Sequence, residues 1–77
     1  MHEVRVPKFG MSAVEVEVLV ILVQPGDHVT AGQAVIEAAS DKVDFEIESE
    51  VDGTVAEIHV AVGDMCGMGS IVMTVQP

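Results

Sequence analysis

The chain nearly repeats itself at an offset of 37 residues, and this constrains its fold more than any other feature. "VQPGDHVTAGQAVIEA" (23–38) returns as "VAVGDMCGMGSIVMTV" (60–75). Gly26, Asp27, Gly32 and Val35 fall on Gly63, Asp64, Gly69 and Val72. Upstream, Val14, Val18, Ile21 and Val23 fall on Val51, Val55, Ile58 and Val60. Two copies are too few for a solenoid, and halves this short bury too little apolar surface to stand alone. The repeat therefore predicts one domain over 1–77 with pseudo-twofold symmetry.

Each half has the character of strands. Val, Ile and Thr are abundant, apolar runs are short, and Gly or Pro punctuates them. Residues 43–51 alternate: Val43, Phe45, Ile47, Ser49 and Val51 on one side, Asp44, Glu46, Glu48, Glu50 and then Asp52 on the other. That period belongs to a half-buried antiparallel strand with a solvated acidic face. "PGD" (25–27) and "VGD" (62–64) mark turns, and "TAGQ" and "GMGS" mark the next bends. No helical period is sustained. The expected fold is all-β: a flattened β-barrel or sandwich of two similar antiparallel sheets.

Charge narrows the partners. Three Lys and Arg residues stand against thirteen Asp and Glu, for a formal net charge of −10. Phosphate contacts need cations, so nucleic acid is an unsuitable partner, and so is an anionic membrane surface. The apolar stretch 14–23 falls well short of the roughly 20 residues of a spanning helix, and Glu15 and Glu17 interrupt it. "MHEVRVPKFG" carries no signal-peptide pattern. A lone cysteine, Cys66, rules out a disulfide within the chain. These features suggest a soluble intracellular protein, cytosolic, or in the mitochondrial matrix if eukaryotic.

Catalytic and metal chemistry find little support. His2, His28, His59 and Cys66 match no zinc-ligand spacing. Cys66 aligns with Val29, which marks it as a small core residue rather than a nucleophile. The glycines of "GDMCGMGS" repeat an earlier turn and need no ligand. Met65, Met68 and Met73 are expected to fill gaps in a core whose only aromatic residues are Phe9 and Phe45.

One residue stands apart. "SDKV" (40–43) separates the strand ending near Ala38 from the one beginning near Val43. Ser and Asp favour the first corner of a type I turn, so Asp41 and Lys42 are expected at the tip of a β-hairpin. By the repeat, the termini occupy the place related to this turn, which puts the tip at the far end of the domain. An exposed hairpin lysine is by itself ordinary, and lysines often blunt sheet edges. Lys42, however, is one of only two lysines and sits between the two near-repeats.

The chain resembles a lipoyl domain, the carrier module of the acyltransferase component of 2-oxoacid dehydrogenase complexes. "VPKFGMS" (6–12) resembles the family's opening, the run from Pro25 to Asp64 its centre, and "ASDKVDFEI" its attachment motif. The resemblance implies the lipoyl/biotinyl fold of two four-stranded sheets, with lipoate amide-linked to Lys42. Glu37, Ser40, Asp41, Val43 and Asp44 would be the residues recognised around the site. It further implies a non-catalytic, monomeric swinging-arm domain. The arm takes an acyl group from a thiamine-dependent 2-oxoacid decarboxylase and passes it to coenzyme A at an acyltransferase domain. Dihydrolipoyl dehydrogenase reoxidises the arm, and a lipoate ligase or lipoyl/octanoyl transferase attaches it.

The chain departs from the family pattern in three places. Val16 stands where the family often has Gly, Ile21 near its usual Trp, and Ala39 where an acidic residue often precedes the lysine. The alternatives are a biotinyl carrier of the same fold or an unmodified adaptor module. Biotin sites resemble Met-Lys-Met, whereas Asp41 and Val43 flank Lys42 here. The acidic strip has two compatible roles: keeping the sheet soluble and meeting basic rims on partners.

Overall fold

A computed structural model describes residues 1–7, 15–40, 43–67 and 69–77. Every regular element among them is a strand: β1 (His2–Arg5), β2 (Glu15–Ile21), β3 (His28–Val29), β4 (Ala34–Ala39), β5 (Asp44–Glu48), β6 (Gly53–Ile58), β7 (Met65–Gly67) and β8 (Ile71–Gln76). They form two four-stranded antiparallel sheets, ordered β1-β8-β6-β3 and β5-β4-β2-β7. The all-β expectation of two matched sheets holds.

The repeat is visible bond by bond. Gly26 and Gly63 have φ of 94° and 93°, the left-handed region that glycine enters without steric cost. The Gly26 amide donates to the Val55 carbonyl at 2.8 Å, and the Gly63 amide donates to the Val18 carbonyl at 2.8 Å. Leu22 N–H to Val35 O in one half becomes His59 N–H to Val72 O in the other. A β-bulge between Val18 and Val20 is matched by one between Val55 and Glu57. The halves interlock, since β2 of the first pairs with β7 of the second and β3 with β6.

Ten of the fifteen buried apolar residues described are valine; the rest are Ile36, Ala38, Ile47, Cys66 and Met73. β-Branched side chains are stiff and pack well on a pleated surface, so valine fills most of the buried positions described, with half-buried Phe45 packed against them. Cys66 is buried at the place Val29 holds in the other half. Met73 is fully buried, as expected. Met65 is 58% exposed, because the β7 alternation turns Cys66 inward and therefore Met65 outward. Met68 lies outside the described residues.

The alternating segment forms a shorter strand than its pattern suggests. β5 ends at Glu48, and residues 49–52 bend away. Ser49 is 1% exposed, and its hydroxyl donates to the Val51 carbonyl at 2.7 Å, which satisfies a polar group facing the core. Val43, placed on the inner face by its parity, is 52% exposed, since it precedes the strand and flanks the turn.

Candidate functional site

The site is built on the β4–β5 hairpin. Its strands pair in register, Ile36 with Ile47, Glu37 with Glu46, Ala38 with Phe45 and Ala39 with Asp44. Ile36, Ala38 and Ile47 are buried and anchor the hairpin to the core. Beyond the Ala39–Asp44 pair, the Ser40 amide donates to the Val43 carbonyl at 2.8 Å, and the Ser40 hydroxyl reaches the same oxygen at 3.2 Å. Residues 40 and 43 therefore close the hairpin, and only Asp41 and Lys42 join them in the chain. Asp41 and Lys42 themselves lie outside the described residues, as does most of "VPKFGMS".

Symmetry fixes where this closure sits. β8 corresponds to β4, and β1 plays for β8 the part that β5 plays for β4: His2 pairs with Val75 and Glu3 with Thr74, as Phe45 pairs with Ala38 and Glu46 with Glu37. The closed turn of one sheet thus occupies the position that the chain termini hold in the other.

The residues expected around the site fall in two groups. Ser40 and Val43 close the turn. Glu37 and Asp44 are on paired strands below it, with Glu37 directly opposite Glu46 and half-buried, and Asp44 exposed. Two carboxylates paired across strands repel each other, so this face keeps its charge at some cost to the sheet. Among the described residues, no group of His, Cys, Asp or Glu is placed to hold a metal ion.

Sequence parity alone did not expose the apolar side of this surface. Leu19, Val20 and Leu22 are 37%, 42% and 44% exposed. The bulge between Val18 and Val20 turns two successive residues outward, and a simple two-residue period cannot register that. A surface cleft of about 210 Å³ is lined by Leu19, Glu37, Ala38, Asp44, Phe45 and Glu46.

Two symmetric four-stranded antiparallel sheets, with the β4–β5 pair closed by Ser40 and Val43, define the class as a small all-β sandwich domain. The chain belongs to the Biotin_lipoyl family, described as "Biotin-requiring enzyme", whose profile matches residues 2–75. It is similar to the dihydrolipoyllysine-residue acetyltransferase component of the pyruvate dehydrogenase complex of Pseudomonas aeruginosa, at 36% identity over 73 residues; the match covers 95% of this chain and 13% of the relative. It is also similar to the dihydrolipoyllysine-residue succinyltransferase component of the 2-oxoglutarate dehydrogenase complex of Bacillus subtilis, at 35% identity over 75 residues, covering 97% of this chain and 18% of the relative. The chain thus spans less than a fifth of these relatives' length. Its fold matches the solved lipoyl domain of the 2-oxoglutarate dehydrogenase complex of Azotobacter vinelandii, with a TM-score of 0.79 and 26% identity, covering 100% of this chain and 98% of that one.

Proposed function

We propose that this chain is a lipoyl carrier domain in which lipoate, amide-linked to Lys42, takes an acyl group from a thiamine-dependent 2-oxoacid decarboxylase and delivers it to coenzyme A at an acyltransferase domain. The observation that carries this reading is the Ser40–Val43 closure, which leaves two residues, one of them lysine, to connect β4 and β5.

The residues present suit the group. Lys42 offers a primary amine for an amide bond, and conversion to the amide removes its positive charge. Ser40 holds the turn through both its amide and its hydroxyl, while Val43 and Asp44 on the descending side are exposed to an incoming enzyme. When attached, the lipoyl group supplies a disulfide-containing ring at the end of a long flexible arm, able to carry an acyl group and two electrons. The domain's own contribution is placement. It holds the attachment point on a rigid two-stranded base, and tethering turns each successive encounter into a search at high effective concentration. The partners in this reading are the decarboxylase, the acyltransferase domain, dihydrolipoyl dehydrogenase and a lipoate-attaching enzyme.

Intact mass after expression with lipoate and biotin ligases tests the reading. A lipoyl increment that disappears in Lys42→Ala supports it. A biotin increment, or no increment in a host competent for both modifications, overturns it.

A further inference from the structure

The strands at the sheet margins are not equally protected. A margin offers unpaired amides and carbonyls to any passing strand, and proteins blunt it with brevity, cations, proline or cover. β3 and β7 are only two and three residues long. β1 and β5 have four and five residues, and the repeat makes them a matched pair: Glu3, Arg5 and Pro7 correspond to Glu46, Glu48 and Glu50. On the β1 side, the Arg5 guanidinium donates to the Glu3 carboxylate at 2.6 Å and to the Gly69 carbonyl at 2.9 Å, and Pro7 has no amide hydrogen to offer. β5 carries neither cation nor proline.

The hydrogen-bond alternation shows which backbone groups of β5 face outward. At one end the Ser40 amide donates to the Val43 carbonyl. At the other the Ser49 amide donates to the Gln33 carbonyl at 2.9 Å, and the Ser49 carbonyl accepts the Gly32 amide at 2.7 Å. Residues of an antiparallel pair alternate between bonded and non-bonded, so Phe45 and Ile47 turn their backbone groups toward β4, and Asp44, Glu46 and Glu48 turn theirs away. Among the described residues nothing pairs with these outward groups. A cleft of about 620 Å³ opens beside them, lined by Arg5, Val6 and Pro7 from the β1 side and by Glu46, Ile47 and Glu48 from β5.

Charge selects what can pair there. The strands of this sheet carry Glu15, Glu17, Glu37, Asp44, Glu46 and Glu48 and no Lys or Arg. Those of the other sheet carry Glu3, Glu57 and Arg5. A second copy of the chain adding β5 to β5 would set carboxylate opposite carboxylate and be repelled. An extended segment with Lys or Arg at alternate positions gains both the backbone bonds and the charge pairing.

We infer that the open edge of β5 is where the lipoate-attaching enzyme docks, by adding an extended Lys- and Arg-bearing segment to the sheet beside Asp44, Glu46 and Glu48. The inference rests on the carrier reading above. Strand addition fixes register, because a slip of one residue reverses every side chain. Register matters most to an enzyme that acts on the Lys42 amine itself, two residues along the chain from Asp44, where small misplacements are costly. Enzymes that act at the far end of a long flexible arm tolerate displacement of its root. The matching edge of β1 is closed by Arg5 and Pro7, so only one side of a nearly symmetric molecule accepts the strand.

The test follows amide hydrogen exchange in the Lys42→Arg chain, which cannot form the lipoyl amide, alone and with saturating lipoate ligase. The amides of Asp44, Glu46 and Glu48 are expected to exchange rapidly alone and about tenfold more slowly in the complex. Glu46→Pro removes one outward amide without touching the ladder to β4. It is expected to lower kcat/KM for lipoylation about tenfold, through KM, the scale of one lost backbone bond. E46Q/E48Q keeps the backbone and is expected to flatten the salt dependence of the same kcat/KM, so the edge is tested even if the proline variant does not fold. Exchange at 44, 46 and 48 that the ligase leaves unchanged overturns the docking edge. So does protection that grows with the chain's own concentration without ligase, an outcome that assigns the edge to a second copy. Either result leaves wild-type lipoylation intact, whereas a wild type that gains no lipoyl mass overturns the carrier reading itself.

Discussion

Asp27 and Asp64 do the same work in the two halves. The Asp27 carboxylate accepts the Gln24 amide at 2.8 Å, while its own amide donates to the Gln24 carbonyl at 3.0 Å. The Asp64 carboxylate accepts the Ala61 amide at 2.9 Å, and its amide donates to the Ala61 carbonyl at 3.0 Å. The carbonyl of each then accepts an amide of the opposite half, Val55 at 2.8 Å and Val18 at 2.9 Å. Asp27→Ala and Asp64→Ala should each cost about 1–2 kcal/mol, the worth of a hydrogen bond to a charged acceptor. The two losses should agree within about 0.5 kcal/mol and add in the double variant. Urea denaturation checks this, and a large difference between them would show that the halves are not energetically alike.

Two glycines should respond to alanine for different reasons. At Gly53 a Cβ would run into the Gln76 carbonyl oxygen and lie 2.8 Å from Val75 Cγ1; the first obstacle is backbone and cannot swing aside. Gly53→Ala is expected to cost about 3 kcal/mol, the upper range for overpacking. At Gly26 nothing lies within 4 Å, but φ is 94°, so Gly26→Ala should cost only about 1–2 kcal/mol of backbone strain. Thermal or urea unfolding gives the order, and equal costs would contradict it.

Ser49 closes its bend through a hydroxyl aimed at the Val51 carbonyl. Ser49→Ala removes that donor beneath the surface and should destabilise by about 1–2 kcal/mol. Hydrogen exchange should quicken at the Gly32 amide, which donates to the Ser49 carbonyl at 2.7 Å. A loss of stability without faster exchange there would place the effect elsewhere.

Burial, and next to it the negative charge of Asp64, push the Cys66 thiol above its ordinary value of 9.0. The folded state therefore favours the protonated thiol. Below 9.0 the stabilisation is fully present. As pH rises further the unfolded chain releases its proton first, and stability falls until the folded thiol also ionises. Cys66→Val, which copies Val29, should remove this alkaline component. Alkylation at pH 8 should be slow in the native domain and fast in urea. Rapid native labelling would contradict the burial of the thiol.

Much of the fold was legible because the repeat is local in sequence. Gly26 and Gly63, with their following aspartates, announce the turns, and the alternation at Asp44–Glu48 announces a half-buried strand. What escaped depends on register. The bulges after Val18 and Val55 shift parity by one residue, so Leu19 and Val20 emerge together from a run that looks like core. Met65 was misplaced for a related reason: its neighbour Cys66, not the methionine, aligns with a buried residue. At the site, the break between β4 and β5 was legible at Ser40, and the Ser40–Val43 bond supplies the hairpin's closure, while Asp41 and Lys42 lie outside the described residues. The acidic character of the face was also legible. Its contrast with the opposite sheet required knowing which strands are neighbours.

The interlocked pairing of the halves has a consequence for how the molecule comes apart. The turns at Gly26 and Gly63 are each fastened to a strand of the other half, so peeling away either half breaks bonds that hold the remaining one. Melting should accordingly be a single all-or-none event, and peptides cut at the hairpin should be formless separately and recover structure only when mixed.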